Sequence, residues 1–330
     1  MAIGGMKTVA VIIVNWNSWT LLSRCLEALA VQTYRDFSIT IIDNASSDEM
    51  PSRLLLDYPH IKLARTSRNL GFAAANNLGV EKYAGHSKWI ALLNPDAFPE
   101  PCWLEALLAA ADNSPGFDAF GSKLVNAATP SLLDGVGDAY HPSGRVWREG
   151  NGLPVSSVSS DGVREVFSAC AAAVLYRRSA IEKVGGFDED YFCYVEDVDL
   201  GFRLRLAGYR CLYVPQSVAH HVGSGTTGGQ QSDFSVYHGH RNLVWTFVKD
   251  MPGLLFWLLL PLHVALNLVS IIWFALRGQG GVILRAKRDA LLGLPKMWHK
   301  RQQIQKARVA SVGDIWRMLD KRLLPIRRRQ

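Results

Sequence analysis

The chain has 330 residues, 48% of them hydrophobic and 20% charged, which is enough for one large domain with an appendage or for two domains. This composition excludes a peptide hormone, a disulfide-rich scaffold and a mainly disordered chain. The five cysteines are scattered without a CxxC pair, which predicts reduced, mostly buried thiols and no zinc site. The first seven residues carry no basic region before an apolar core, so we expect no signal peptide.

The net charge of +7 is unevenly distributed along the chain. Residues 1–235 carry 19 Lys and Arg against 25 Asp and Glu, whereas residues 236–330 carry 17 against 4. A chain that is acidic over two thirds of its length does not have the charge pattern of a nucleic-acid-binding protein, so we expect no nucleic-acid partner. A basic segment beside a long apolar run is instead typical of contact with an anionic membrane surface.

Apolar, β-branched runs alternate with helical patterns over the first hundred residues. The predicted strands are 9–14, 39–42, 62–64 and 89–93. Helical spacing of apolar residues begins near Leu22, and a helix of small residues is predicted at 72–80. This alternation predicts an α/β fold with an open, mostly parallel sheet flanked by helices. Ligands bind at the carboxyl ends of the strands in such sheets, and a polar cluster follows each of these strands.

The second half of the chain continues with less regular elements. Residues 126–162 are rich in Gly, Ser, Asp and Pro and are predicted to form loops and a hairpin over the site. The remaining predictions are a central strand at 166–176, helices at 179–184 and 196–207, and a final strand at 211–214. Phosphate-binding motifs of the GxxxxGK[ST] and GxGxxG types are absent from the sequence, so neither a P-loop nor a dinucleotide-binding site is supported.

Each polar cluster is weak evidence when taken alone, because Asp43 could be a turn residue and Asn94-Pro95-Asp96 a plain turn. Their order and spacing together resemble the family 2 glycosyltransferases of the GT-A fold, and in particular bacterial rhamnosyltransferase-type enzymes. The resemblance covers about residues 7–250. The matching segments are Val11–Asn17, Asp43–Asp48, Arg68–Asn77, Leu92–Asp96, Gly185–Glu189, Glu196–Leu200 and His220–Gly223.

The resemblance implies a binding site for a nucleotide-diphospho-sugar donor. Asn15 and Asp43 match the positions that hold the nucleotide base and ribose, and a carboxylate can accept a hydrogen bond from the pyrimidine N3–H. Arg68 is predicted to contact the base pocket or a phosphate, with a plain surface arginine as the alternative. Asn76 and Asn77 are expected to face the same cleft, although either could be a buried capping amide.

Asn94-Pro95-Asp96 takes the place of the Asp-x-Asp motif of the family. The resemblance implies that Asp96 binds Mg²⁺ or Mn²⁺ between the donor phosphates. Asn94 can hydrogen-bond to ribose but brings no charge, so we expect metal affinity to depend on the donor phosphates themselves. Of the two histidines after the last predicted strand, the spacing to Gly223 favours His220 over His221 as the metal ligand.

Glu196, Asp197 and Asp199 place three carboxylates at the start of a predicted helix. Acidic residues are common at helix N-termini because of the helix dipole, and this explains one or two of them. By its match to the Glu-Asp pair of the family, Asp197 is predicted to be the general base and Glu196 to orient it or the acceptor. The implied reaction is a single displacement with inversion, since a retaining glycosidase would need two carboxylates flanking the bond.

The sequence therefore predicts an inverting, metal-dependent glycosyltransferase. Residues 1–235 would form the GT-A nucleotide-sugar-binding and catalytic domain. The leading donor is dTDP-L-rhamnose, with UDP-galactofuranose, UDP-GlcNAc or another hexose donor as alternatives. The acceptor implied by the resemblance is a polyprenyl-diphosphate-linked saccharide in cell-wall or surface polysaccharide synthesis. Other classes considered are a sugar nucleotidyltransferase, whose Gly-rich first loop with Arg and Lys is absent at 15–20, and an inactive membrane scaffold.

Residues 236–330 are predicted to form a helical, membrane-associating region. No charged residue occurs from Met251 to Leu276, which is long enough to span a bilayer. Pro261 interrupts this run, and a span would place the basic tail on the far side from the catalytic domain, so we expect two short helices in one leaflet or in the interface. The predicted location is the cytoplasmic face of the plasma membrane, peripheral or monotopic. A buried helical hairpin of a soluble oligomer is the alternative, and homo-oligomerisation stays open.

Overall fold

The computed structural model describes residues 8–158, 162–223, 229 and 231–322. The prediction for residues 1–7 falls outside the described residues, as does the part of the predicted basic tail at 323–330. The described strands are β1 (Val9–Asn15), β2 (Phe37–Asp43), β3 (Lys62–Arg65), β4 (Trp89–Leu93), β5 (Ala97–Pro99), β6 (Ala119–Asn126), β7 (Leu133–Gly135), β8 (Asp138–Tyr140), β9 (Val146–Arg148), β10 (Arg164–Val166), β11 (Ala173–Arg177) and β12 (Cys211–His221). The described helices are α1 (Trp19–Ala30), α2 (Leu54–Asp57), α3 (Gly71–Tyr83), α4 (Trp103–Asn113), α5 (Arg178–Val184), α6 (Glu196–Leu206), α7 (Asp233–Asp250), α8 (Gly253–Leu276), α9 (Gly280–Leu292), α10 (Leu294–Lys306) and α11 (Val312–Met318).

The four strands predicted from the first hundred residues form the parallel half of one large sheet. Its strand order is β10-β12-β6-β11-β4-β1-β2-β3, and β1, β2, β3 and β4 all pair in parallel. Every residue of β1 and β4 is buried, as expected for strands covered by helices on both faces. Helix α1 packs the buried side chains Trp19, Leu22, Cys25, Leu26 and Leu29 against one face. The predicted α/β architecture is confirmed.

The other half of the sheet differs from the prediction. The stretch 166–176 is not one strand: β10 is an edge strand paired with β12, and β11 lies centrally, antiparallel to both β4 and β6. Between them the chain leaves the sheet and runs along the site. Strand β12 continues beyond the predicted 211–214, with a register shift between Val214 and Val218 around Pro215, because a bulge absorbs the proline that lacks an N–H.

The predicted loop region 126–162 contains short strands. The expected hairpin is confirmed as β8 paired with β9. Helix α4 and strand β6 were not predicted, although Trp103, Leu104 and Leu107 of α4 are fully buried at helical spacing.

The C-terminal region packs against the α/β unit. A continuous apolar cluster joins Tyr140, Phe167 and Phe202 of the first 235 residues to Phe247 and Met251 of the last third. The backbone N–H groups of residues 309 and 310 also donate to the Leu206 carbonyl. The division near residue 235 stays a prediction, but the two parts share a core.

Helix α8 is a single helix of 24 residues, so the prediction of two short helices was wrong. Pro261 lies inside it and removes one backbone hydrogen bond, but the surrounding leucine-rich turns continue the helix against its neighbours. By length and composition α8 could cross a membrane: its mean hydropathy reaches 2.1, and 17% of that apolar window is buried in the protein. The exposed side includes Leu254, Trp257, Leu258, Leu268, Val269, Ile272 and Trp273.

Candidate active site

A cavity of about 480 Å³ opens at the carboxyl ends of β1, β2 and β4. Its wall consists of the turns after these strands, the β8–β9 hairpin, residues 170–172 and residues 192–198, and the start of α7 closes one side. The polar clusters that follow the strands in sequence therefore meet at one edge of the sheet. This is where ligands bind in open α/β sheets.

Asn15 and Asp43 end adjacent strands and lie opposite each other in the β1–β2 register, as expected. Both are buried and hold the loop after β2: Asn15 Nδ2 donates to Ser46 Oγ at 3.2 Å, and Asp43 Oδ1 accepts from the Ser46 N–H at 3.2 Å. Asp43 also pairs with Arg65 at 3.4 Å. Asn15 Oδ1 makes no hydrogen bond in the described part of the chain. The cavity wall here is made by their neighbours Trp16 and Asn44.

Asn76 does not face the cavity, which corrects the prediction. It lies buried on α3, and its Nδ2 donates to the Phe72 carbonyl at 2.9 Å within the same helix. The amide that shapes this wall is Asn44, whose Oδ1 accepts from the Leu70 N–H at 2.8 Å and whose Nδ2 donates to Asn69 Oδ1 at 2.9 Å.

The other two side chains of this stretch also lie away from the cavity wall. Arg68 is exposed, and the wall nearby is formed by Asn69 and Gly71. Asn77 accepts from the Phe187 N–H at 2.8 Å and donates to the Phe187 carbonyl at 2.9 Å, so it joins α3 to the segment before the short 3₁₀ helix at Glu189–Tyr191. The amides of α3 are therefore structural in this conformation.

Asp96 lies in the cavity wall beside His221, not His220. His221 Nε2 is 3.4 Å from Asp96 Oδ1, and its Nδ1 is 2.9 Å from Asp134 Oδ2. His220 points to the opposite face of β12, where its Nε2 is 3.0 Å from Glu100 Oε1. Because β12 extends through both histidines, successive side chains alternate between its faces. The assignment of His220 to the metal is therefore not supported by the geometry.

The pair formed by Asp96 and His221 fits a divalent cation. Burial opposes the charged form of His221, but the hydrogen bond to Asp134 and the neighbouring Asp96 carboxylate raise the pKa of its imidazole to about 9. A cation would therefore bind Nε2 in exchange for its proton. Burial of Asp134 is likewise outweighed by its bond to His221 and the charge of Arg148, which lower the pKa of that carboxyl to about 2. The buried His221 Nε2 makes no hydrogen bond within the described residues, which leaves a nitrogen aimed at Asp96. Carboxylate oxygens are ligands that suit Mg²⁺ and Mn²⁺, and neutral imidazole is the commonest side-chain ligand of metals in general.

The described residues contain no cluster of three or more His, Cys, Asp or Glu side chains arranged to hold a metal. Asn94 lines the cavity next to Asp96 and brings no charge. A cation bound to Asp96 and His221 would thus need further oxygen ligands from outside the protein, such as the phosphates of a donor.

The three carboxylates at the start of α6 have separate surroundings. Asp197 lines the cavity, with Oδ2 accepting from the Ala171 N–H at 3.2 Å and Oδ1 from the Val198 N–H at 2.9 Å. Glu196 also lines the cavity but is buried, and burial together with the charge of Asp197 raises the pKa of its carboxyl well above the usual range. Asp199 points away from the cavity and forms a buried ion pair with Arg203 at 2.7 Å. The arrangement presents one accessible carboxylate to a ligand.

A backbone connection joins Asp197 to the end of β4. The Asn94 N–H donates to the Ala172 carbonyl at 2.9 Å, and the neighbouring Ala171 N–H donates to Asp197. The small residues at 170–172 let this segment run between the two acidic clusters. Asp197 and Asp96 therefore lie on two walls of the same cavity, and the short segment 170–172 runs between these walls.

Arg148 and Asp138 belong to the site although the sequence did not point to them. Arg148 lines the cavity from the hairpin, with Nε 3.1 Å from Asp138 Oδ1 and Nη1 3.2 Å from Asp134 Oδ2. Burial raises the pKa of Asp138 to about 7, with Arg148 opposing and the charge of Asp197 adding to the effect. The sequence from 126 to 162, which contains both residues, has no periodic pattern, so it indicated only that loops and a hairpin cover the site.

Aromatic rings make up much of the remaining wall. Rings of this kind can stack on the apolar face of a sugar or on a base. Those lining the cavity are Trp16, Phe72, Trp147, Phe192, Tyr194 and Phe234.

The sequence matches the family model described as glycosyl transferase family 2 over residues 10–185, more than half of the chain. The chain belongs to glycosyltransferase family 2. A second model, described as glycosyl transferase family group 2, matches residues 145–277. The family 2 chain is 32% identical over 254 residues to the N-acetylglucosaminyl-diphospho-decaprenol L-rhamnosyltransferase of Mycobacterium tuberculosis, which covers 69% of this chain and 80% of the relative. The resemblance to rhamnosyltransferase-type enzymes is confirmed, and the chain is a glycosyltransferase.

Two solved structures share the fold of this glycosyltransferase. GalNAc-T7 with UDP, GalNAc and Mn²⁺ has a TM-score of 0.59 at 18% identity, over 74% of this chain and 48% of the other. The mannosyltransferase PcManGT of Pyrobaculum calidifontis, in complex with GDP-Man and Mn²⁺, has a TM-score of 0.54 at 17% identity, over 95% of this chain and 88% of the other. The GT-A fold prediction is confirmed. At these identities the likeness concerns the fold alone.

Proposed function

We propose that this glycosyltransferase moves L-rhamnose from dTDP-L-rhamnose to a polyprenyl-diphosphate-linked saccharide, with inversion at the sugar C1. The observation that carries the proposal is the placement of Asp197 and of the Asp96–His221 pair in one cavity at the strand ends. A transferase needs one group to receive the acceptor proton and another to neutralise the departing diphosphate. The two walls of the cavity offer one of each.

The donor assignment is supported by the Mycobacterium tuberculosis relative, whose name specifies an L-rhamnosyltransferase acting on N-acetylglucosaminyl-diphospho-decaprenol. In the present chain, the nucleotide would lie against the turns after β1 and β2, beside Trp16 and Asn44. We expect Asn15 and Asp43 to contribute by fixing the loop that carries Ser46, since their side chains already bond to it. A base stacked on Trp16 would leave its polar edge near this loop.

The diphosphate would lie near Asp96 and His221, which would hold Mg²⁺ or Mn²⁺. When bound, the cation neutralises the charge that builds on the leaving phosphate oxygen. Asn94, which lines the same wall, would contribute a neutral hydrogen bond to ribose or phosphate. Asp134 would orient His221 through its bond to Nδ1, leaving Nε2 directed at Asp96.

Asp197 would accept the proton of the acceptor hydroxyl as that oxygen attacks C1. Its carboxylate is held by two backbone N–H groups and still faces the cavity, which fixes its direction without blocking it. Glu196 is buried beside it, and its raised pKa favours a neutral carboxyl that can donate a hydrogen bond. Glu196 would thus orient Asp197 or the acceptor without competing for the proton.

The lipid-linked acceptor fits a protein that rests on a membrane through α8. Both ends of this helix are tied to α7: the chain between α7 and α8 is two residues long, and Gln279 Nε2 donates to Asp233 Oδ1 at 2.7 Å. In its middle, His263 Nδ1 lies 2.8 Å from the Ser143 carbonyl, and its imidazole stacks on Phe247. A helix fastened along its length to the catalytic unit favours an in-plane position over a span. The cytoplasmic face is expected because the nucleotide-sugar donor is cytosolic.

A donor panel in a thermal-shift experiment, with and without Mn²⁺, tests the proposal. A ligand at about 100 times its dissociation constant stabilises a protein by about 2.7 kcal/mol, so a cognate donor produces a clear shift. We expect dTDP-L-rhamnose to raise the unfolding temperature more than dTDP-glucose, UDP-GlcNAc or UDP-galactose, and more with Mn²⁺ than without. A larger shift with a UDP-sugar would reassign the donor.

A further inference from the structure

The turn that leads into the helix of Asp197 has a strained backbone. Phe192, Tyr194 and Val195 have φ angles of 65°, 67° and 69°. These values lie in the left-handed region, which residues other than glycine rarely adopt. Each such residue costs free energy and persists only where the surroundings fix it. Val195 is a β-branched residue, for which this conformation is especially unfavourable.

One side chain of α7 makes hydrogen bonds along this whole turn. Asn242 is fully buried, and its Nδ2 lies within bonding distance of three carbonyl oxygens: Tyr191 at 3.0 Å, Cys193 at 3.0 Å and Tyr194 at 2.7 Å. An amide nitrogen has only two hydrogens to donate, so the three carbonyls share them. The Asn242 amide is thus a shared hydrogen-bond donor for three carbonyl groups of this turn.

The preceding residue of α7 extends the same contact. Arg241 donates from Nη2 to the Asp190 carbonyl at 3.1 Å and the Tyr191 carbonyl at 2.9 Å, and from Nε to Asn242 Oδ1 at 3.0 Å. The guanidinium therefore orients the amide of Asn242 as well as the start of the turn. The hydrogen bonds given above for Arg241 and Asn242 do not involve Asp197, the side chain proposed to take the proton.

The turn sets where α6 begins and so where Asp197 points. Val195 is the N-terminal cap of α6, and its carbonyl accepts from the Asp199 N–H at 2.9 Å. Asp197 follows two residues later and faces the cavity, while residues 192–195 line it. A rotation of the Val195 backbone out of the left-handed region would turn the first residues of α6 and move the Asp197 carboxylate.

We infer that Asn242, oriented by Arg241, is a positioning residue for the transfer reaction: its carboxamide holds the 191–195 turn in the conformation that aims Asp197 at the acceptor. This inference rests on the proposed role of Asp197. It also gives Asn242, which lies beyond the predicted catalytic domain, a part in building the site. In the proposed arrangement the nucleotide and diphosphate lie against the turns after β1, β2 and β4, and the Asn242 amide bonds to none of these turns.

The test substitutes Asn242→Asp, which keeps the shape of the side chain but replaces the donating NH₂ group with an oxygen. The matched control is Gln305→Glu, the same change of amide to carboxyl in α10, where Gln305 Nε2 donates to the Asp250 carbonyl at 3.1 Å away from the turn. Misplacing a catalytic group by about 1 Å costs about 10²-fold in rate, so we expect kcat to fall by about that factor in Asn242→Asp. The donor KM should stay within about threefold, and the control should keep both constants.

Amide hydrogen exchange over residues 191–198 gives a readout that does not need activity. We expect faster exchange in this segment for Asn242→Asp and unchanged exchange there for Gln305→Glu. If Asn242→Asp fails to fold, Asn242→Ser, which keeps one donor, and Arg241→Lys take its place.

Exchange and kcat that both match the wild type in Asn242→Asp would overturn the inference, as would an equal loss of kcat in Gln305→Glu. Faster exchange in the turn with unchanged kcat would also overturn it, because the turn would then not position the base. If Asp197→Asn is itself active, the proposed function fails instead, and the exchange experiment still reports whether Asn242 holds the turn.

Discussion

Replacing Asp197 by Asn separates basicity from shape. The carboxylate accepts from the Ala171 N–H at 3.2 Å and from the Val198 N–H at 2.9 Å. An Asn side chain has a single oxygen, so one of these N–H groups would face the new NH₂ group. The loss of one partly solvated hydrogen bond costs about 1 kcal/mol. In a chain of this size, that lowers the unfolding temperature by no more than about 2–4 °C.

The effect on the reaction should be much larger than the effect on stability. General-base assistance contributes about 10²–10⁴-fold to a rate, which corresponds to about 2.7–5.4 kcal/mol of activation free energy. We therefore expect kcat of Asp197→Asn to fall by at least about 10²-fold. The donor dissociation constant should change little, since in the proposed arrangement the donor lies against the opposite wall of the cavity.

The assay measures initial transfer rates to a lipid-linked GlcNAc acceptor, together with calorimetric titration of the donor. The control variant is Asp118→Asn, which also removes a partly buried carboxylate, but one paired with Arg177 at 2.8 Å at the other end of the sheet. A kcat for Asp197→Asn within about tenfold of wild type would refute the general-base role, because even weak base catalysis exceeds that factor. The role would then pass to Glu196 or Asp138, two further acidic groups in the cavity wall.

Three further results are expected. Asp96→Ala and His221→Ala should abolish the gain in donor affinity that Mn²⁺ gives, whereas His220→Ala should keep it, because His221 faces Asp96 and His220 faces Glu100. Calorimetric titration of the donor in Mn²⁺ and in EDTA checks this. Loss of the Mn²⁺ effect in His220→Ala but not in His221→Ala would contradict it. Trp273→Glu should weaken binding to anionic vesicles at least about tenfold in a flotation assay, since burial of one large apolar side chain contributes about 1.5–3 kcal/mol; unchanged binding would exclude this face of α8 from the membrane. Although burial opposes it, two lysine ammonium groups hold the pKa of the Asp188 carboxyl below its usual range, so its stabilising effect should be present above about pH 4 and lost as the pH falls through the lowered value. Urea unfolding at several pH values should show a smaller loss of stability on acidification for Asp188→Asn than for wild type.

The parallel half of the fold could be predicted because its signals are local. Strands β1 and β4 are unbroken apolar runs, and the polar cluster after each marks the edge of the sheet where ligands bind. The adjacency of Asn15 and Asp43 followed from the order of the elements alone. The position of the cavity was thus available from the sequence.

Side-chain direction was not available in the same way. The choice between His220 and His221 depends on where β12 ends, and Pro215 made the strand look shorter than it is. Asn76 was expected to face the cleft, but its direction depends on how α3 rotates against the sheet, and its amide bonds within its own helix. Periodicity fixes the face of a residue only when the element and its bounds are already known.

Long-range contacts were equally out of reach of sequence patterns. The pairing of Arg148 with Asp134 and Asp138 joins segments of irregular sequence. The bonds from Asn242 to residues 191–194 link two regions that composition had assigned to different domains. Such contacts have no period along the chain and appear only once the fold has brought them together.

Transfer of the sugar by the purified full-length chain can be followed directly by mass spectrometry and NMR. The chain is incubated with dTDP-β-L-rhamnose, Mn²⁺ and a prenyl-diphosphate-linked GlcNAc acceptor in detergent. We predict that the acceptor gains one deoxyhexose joined by an α linkage, and that EDTA or Asp197→Asn suppresses the product. Retention of the β configuration, transfer in EDTA at the full rate, or no product with this donor while a UDP-sugar is transferred would contradict an inverting, metal-dependent rhamnosyl transfer.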